Sequence, residues 1–134
     1  MNAKLELVQN WLIKAQHDLA AARKLAEGPD PYLDVAAYHC QQAAEKAVKA
    51  FLVFHDQPFE KTHDVEVLVT LAQRYDPRLA SWVEAAVQLT PYATEFRYPG
   101  GLLAPPPDEF EQALEAATGL YSFVLSLLPA EVQP

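Results

Sequence analysis

Apolar residues recur along this chain in steps of three and four. Leu5, Val8, Leu12, Ala15, Leu19 and Ala22 lie on one face of a first helix. Gly28-Pro29 ends that pattern. Asp30-Pro31 then offers an N-cap followed by proline at the first helical position, where its missing N–H costs nothing. A second stripe runs through Ala36, Cys40, Ala43, Ala47, Phe51 and Phe54 and stops at Gln57-Pro58. Thr62 or Asp64 can cap a third, shorter helix carrying Val65, Leu68 and Leu71 or Ala72. Asp76-Pro77 repeats the cap-then-proline device before Leu79, Val83, Ala86 and Leu89 or Thr90. Pro91 interrupts that fourth pattern and predicts a kink or break near residues 87–91. The last helix is expected to open on Asp108 and Glu111, an acidic relative of the capping box. It continues through Phe110, Leu114, Ala117, Tyr121, Val124 and Leu128. No segment alternates with period two for long enough to predict a strand. The pattern predicts an all-α fold, an antiparallel bundle of four to five helices joined by short loops. The alanines of the second helix predict close helix approach along its length.

At 134 residues and 51% hydrophobic, the chain suits one compact domain, residues 1–134 with a core of about 5–128, and not a disordered segment. No apolar run reaches the roughly 18 residues that a membrane span needs. Met1 to Glu6 lacks a basic segment followed by an apolar core, so no secretory signal is expected. A cytoplasmic domain with no membrane partner is the expectation. A single cysteine, Cys40, excludes an intramolecular disulfide and a cysteine-rich zinc cluster. The formal charge of −8 argues against a broad basic surface for nucleic acid. That charge is uneven: residues 1–75 hold eight bases and ten acids, whereas residues 76–134 hold only Arg78 and Arg97 against eight acids. A locally positive cleft inside an acidic shell is therefore compatible with the composition.

The four histidines show no metal-binding spacing. His17 lies beside Asp18 off the apolar stripe, His39 at the edge of the second stripe, His55 at that helix's end, and His63 at the start of the third helix. No two stand four apart on one helix with a glutamate between, so no metal ligand is expected. His55 is explained by a favourable dipole interaction when protonated. No Gly-x-Ser-x-Gly and no phosphate-binding glycine loop occur, and Cys40 falls on an apolar stripe as a packing residue. On the second helix Tyr38, Gln42, Glu45 and Lys49 share one stripe opposite Ala43 and Ala47. Spacing alone favours a solvated face there over a polar surface presented to a partner, a nucleotide or a second copy. Tyr92, Phe96, Arg97 and Tyr98 form another cluster. Pro99 pushes Tyr98 out of helical geometry, so the fourth helix should end near it and display Arg97 among aromatic rings. There Arg97 can grip a phosphate or carboxylate, or compensate the carbonyls of the helix end. Leu102 and Leu103, in a proline-rich loop, call for burial, and a subunit interface would supply it.

Several segments converge on one family. Trp11, Ala15 and Asp18-Leu19-Ala20-Ala21-Ala22, then Gln41 to Ala50 (Gln-Gln-Ala-Ala-Glu-Lys-Ala-Val-Lys-Ala), Lys61-Thr62-His63-Asp64-Val65, and Phe96-Arg97-Tyr98-Pro99 together resemble the HEPN domain (higher eukaryotes and prokaryotes nucleotide-binding) over residues 5–128. The resemblance implies a helical bundle that self-associates, with a dimer foremost, and that pairs with a small nucleotidyltransferase, often as a toxin–antitoxin couple. It implies no cofactor. Arg97 and Tyr98 are the expected phosphate or partner contact, with Gln42, Glu45, Lys46 and Lys49 lining an adjacent surface. His63 and Asp64 are expected to cap the third helix. Many members of the family are metal-independent ribonucleases with a histidine four to six residues after an arginine. Here Gly101, Leu102 and Leu103 occupy those places after Arg97, and no histidine follows His63. The leading expectation is a non-catalytic nucleotide-binding and interaction module. The alternative is a ribonuclease acting on RNA through Arg97, with the histidine supplied by His39 or His63.

Overall fold

A computed structural model describes residues Met1–Pro134. It contains helices throughout and no strand. Helix α1 spans Ala3–Ala26 and α2 spans Leu33–Phe54; α3 is Val65–Ala72, α4 Val83–Leu89 and α5 Pro107–Ser126. Short 3-10 turns at Pro77–Trp82, Thr90–Ala93 and Ala130–Val132 complete the chain.

The stripe predicted for α1 is buried from Val8 to Ala22, with Leu5 packed at its edge. Asn2 caps the helix by accepting from the Leu5 N–H at 2.9 Å. Gly28 takes φ +82° in the turn that follows, a conformation that costs glycine nothing. The α1–α2 pair is antiparallel: Lys4 meets Asp56, Trp11 meets Lys49, and Asp18 meets His39. The predicted Asp30-Pro31 cap is corrected. The α2 helix begins at Leu33 behind Tyr32, which makes no side-chain cap. The reason lies in the turn, where the Tyr32 N–H reaches back to the Leu25 carbonyl at 2.8 Å and spends residues 27–32 on reversing the chain. At its far end α2 closes by a Schellman arrangement. Gln57 N–H donates to Leu52 O, Asp56 N–H donates to Val53 O, and Asp56 has φ +56°.

Asp64, one of the two predicted caps, accepts from the Val67 N–H at 3.2 Å and starts α3, while Thr62 Oγ1 accepts from the Asp64 N–H. Asp76 accepts from the Arg78 N–H as predicted, but the segment it opens is a 3-10 turn. The break expected at 87–91 is present: α4 stops at Leu89 and Thr90-Pro91 opens another 3-10 turn. Consequently no helix reaches Tyr98. A second cap is also corrected, since α5 begins at Pro107 with no side-chain cap. Asp108 and Glu109 instead occupy its first turn, where acids complement the dipole.

All five helices feed one hydrophobic core, with α2 at its centre. Fourteen of the 22 residues of α2 are buried, which leaves it almost no solvated face. Its alanines let α1 and α5 approach closely. The large fillers, Phe51, Phe110, Leu12 and Leu52, each contribute about 1.5–3 kcal/mol through burial.

Candidate functional site

The central position of α2 overturns the solvated face expected for Gln42, Glu45 and Lys49. All three are buried, Glu45 to 3% exposure. Burying a carboxylate is costly unless its lone pairs are filled, and here they are. Glu45 Oε1 accepts from Gln41 Nε2 at 3.1 Å, Gln42 Nε2 at 3.4 Å and His63 Nδ1 at 2.9 Å, and Oε2 accepts from Lys49 Nζ at 2.9 Å. Burial alone would raise the Glu45 pKa. The hydrogen bonds from Lys49, Gln41 and His63 outweigh it and hold the carboxyl below the usual glutamate value.

The same bonds fix the segment between α2 and α3. Gln41 Nε2 also donates to the His63 carbonyl at 2.8 Å, so backbone and ring of His63 are both tied to α2. The anticipated helix-capping role thus falls to Asp64 alone. With Nδ1 donating to Glu45, Nε2 of His63 is left free on a side chain that remains 71% exposed. The Lys49 ammonium sits 5.6 Å from the ring centres of both Trp11 and Phe59, a cation–π cage for a nearly buried charge.

A second polar group ties α1 to α2. Asp18 is buried and accepts from Lys46 Nζ at 2.6 Å, and its other oxygen meets His39 Nδ1 at 2.7 Å. Sequence reasoning gave Asp18 no site role; the signal was its place three after Ala15 and four before Ala22, at the edge of the buried stripe.

Around these groups opens a pocket of about 680 Å³ lined by Trp11, Glu45, Lys46, Lys49, Phe59, Lys61, Thr62 and His63. It unites Glu45, Lys46, Lys49 and His63 from the sequence-derived set. Phe59 and Lys61 were not foreseen as wall residues, because they come from a loop whose path depends on the Glu45–His63 contact. Lys46 and Lys49 each carry an acidic partner, whereas Lys61 is exposed and has none.

Arg97 and Tyr98 lie elsewhere. Phe96 adopts φ +66°, a strained value for a bulky residue, and stacks on Tyr92. That turn sends Arg97 back over the Tyr38 ring at 4.5 Å, with Nη1 donating to the Ala93 carbonyl at 3.1 Å. Arg97 thus satisfies a carbonyl at the end of a 3-10 turn and borders a smaller cavity, about 250 Å³, with Asp34, Val35, Tyr38 and Phe96. Tyr98 points outward at 73% exposure. Neither His39 nor His63 lines the Arg97 cavity.

The remaining candidates are structural. Cys40 is buried and its thiol is pushed up to about 12 by burial, against a smaller lowering by Arg23. His55 departs from the dipole expectation. Burial and then Lys4 lower its pKa, and its ring stacks on Tyr75 at 4.8 Å.

No helix is long and apolar enough to cross a membrane. No group of three or more His, Cys, Asp or Glu side chains is placed to hold a metal ion. Among curated proteins none matches the chain. Two solved structures are similar over 90% of it. ST0689, an archaeal HEPN homologue, shares 27% identity over 96% of its own chain with a TM-score of 0.70. TT1696 from Thermus thermophilus shares 28% over 98% of its chain with a TM-score of 0.71. The HEPN domain model matches residues 8–127, from within α1 through the end of α5, and this chain belongs to the HEPN domain family.

Proposed function

We propose that this chain is a nucleotide-binding and interaction module that acts as a homodimer, the partner subunit of a small nucleotidyltransferase in a toxin–antitoxin-like pair. The observation that carries the nucleotide half is the pocket between α1, α2 and the α2–α3 segment. It places three lysines and a histidine beside two aromatic rings in about 680 Å³, within the usual range for small-molecule sites. Cations and aromatic faces are the two features a nucleotide needs, for its phosphate and its base. Arg97 and Tyr98 stand outside the wall of that pocket and serve instead as the partner contact, since both are exposed beside the Leu102–Leu103 strap.

Thermal unfolding against a nucleotide panel tests the first half. A ligand that binds only the folded state at a hundred times its Kd stabilises by about 2.7 kcal/mol and raises the Tm. Co-expression with the protein encoded by the adjacent gene tests the second. Co-elution that is lost in Arg97→Ala is expected, and separate migration at micromolar concentration removes the pairing.

One observation favours a ribonuclease as the second reading: Glu45 orients His63 with Nε2 free, the geometry of a general base. Arg97 borders a different cavity, so an Arg97–His63 site would need two copies of the chain. Cleavage of total RNA in chelator, abolished by both Arg97→Ala and His63→Ala, would establish it. Intact RNA with folded protein retires it.

A further inference from the structure

We infer that the ligand of the Lys46–Lys61–His63 pocket is a nucleoside monophosphate, not a triphosphate. This rests on the nucleotide reading of the same pocket and follows from its charge inventory. Lys46 is neutralised by Asp18 at 2.6 Å, and Lys49 by Glu45 at 2.9 Å. Lys61 is the one lysine of the wall with no acidic partner. His63 presents its free Nε2 to the same wall, because Glu45 already holds Nδ1. The pocket therefore offers one unpaired cation and one free ring nitrogen, enough to seat a single phosphate group. Each further phosphate would bring negative charge with no unpaired cation to meet it. It would also enter the field of a molecule that carries −8 overall.

The apolar side of the pocket is equally restrictive. Trp11 and Phe59 flank the caged Lys49 ammonium and line the same wall as Lys61 and His63. A ligand whose phosphate bridges Lys61 and His63 lays its attached group along these rings. A planar base gains stacking there that a sugar phosphate or inorganic phosphate cannot.

The test is calorimetric titration of the full chain with AMP, ATP and inorganic phosphate in chelator-containing buffer at fixed ionic strength. Tryptophan fluorescence is followed in parallel, with Trp11→Phe locating the signal. AMP is expected to bind at least about fivefold more tightly than either ATP or inorganic phosphate and to quench Trp11. Lys61→Ala, a change at an exposed and unpaired side chain that leaves folding intact, is expected to weaken AMP about tenfold, the loss of one charge-assisted hydrogen bond. ATP binding as tightly as AMP, with the same dependence on Lys61, overturns the monophosphate inference while leaving nucleotide binding in place. Inorganic phosphate equal to AMP removes the stacked base. No response to any of the three probes overturns both the inference and the nucleotide reading beneath it.

Discussion

Glu45 meets four donors inside a bundle whose neighbouring residues are mostly alanine, and its stability contribution has a defined pH dependence. Hydrogen bonds from Lys49, Gln41 and His63 exceed the opposing effect of burial and depress its pKa below the ordinary 4.5. A depressed carboxylate stabilises the fold fully above its unfolded pKa, and that contribution is lost as pH falls through the folded value. Denaturant titrations should therefore show an acid limb that opens near pH 4.5 and deepens below it. Glu45→Gln should flatten that limb while lowering stability at neutral pH, because Lys49 loses its counter-charge. Tyr121 poses the opposite case. Its hydroxyl is buried in the core and has no hydrogen-bond partner within the protein, and burial raises its pKa. Tyr121→Phe removes an unsatisfied polar group at almost constant volume, so the Tm should stay level or rise, by up to about 1 kcal/mol of stability. The types of both residues were plain in the sequence. Their burial was not, since position on a helical stripe does not say how many neighbours surround that helix.

Among the elements, α2 was legible as a helix, and the expected solvated stripe along it was wrong for a simple reason. Periodicity finds the most apolar face, but a central helix buries its less apolar faces as well. Along α2 the polar residues consequently pair with partners from α1 and from the α2–α3 segment instead of with water. The packing of α5 against the turn that leads into α4 depends on a single glycine. A Cβ at Gly119 would lie 2.7 Å from Cη2 and 2.9 Å from Cζ3 of Trp82, whose ring also stacks on Phe123. Alanine at a helix interior normally gains about 1 kcal/mol over glycine. Here Gly119→Ala should instead destabilise by about 1–3 kcal/mol, the cost of overpacking. Adding Trp82→Leu should recover the helix-propensity gain, which chemical denaturation of the single and double variants would show as a coupling between the two sites.

For the whole molecule, the uneven charge and the exposed strap bear on assembly. Leu102 and Leu103 are 70% and 68% exposed beside Tyr98, although Pro105 of the same segment is buried. Two adjacent leucines left in water are the side chains a homodimer would cover. Sedimentation is expected to show a dimer for the full chain and a monomer for Leu102→Ser/Leu103→Ser, with unchanged helicity; a dimer in that variant moves the interface elsewhere. The sequence by itself determined the all-helical class, the stops of α1 and α2, the Asp64 start of α3, the break at Pro91 and the family, because periodicity, prolines and motif order are local properties of the chain. Only the tertiary structure decided that Glu45 and Lys49 are interior, that Phe59 and Lys61 complete a pocket with them, and that Arg97 lies over Tyr38 in another one. Those facts depend on which residues meet across α1, α2 and the loop beyond, and a contact between Glu45 and His63, 18 positions apart, leaves no periodic trace.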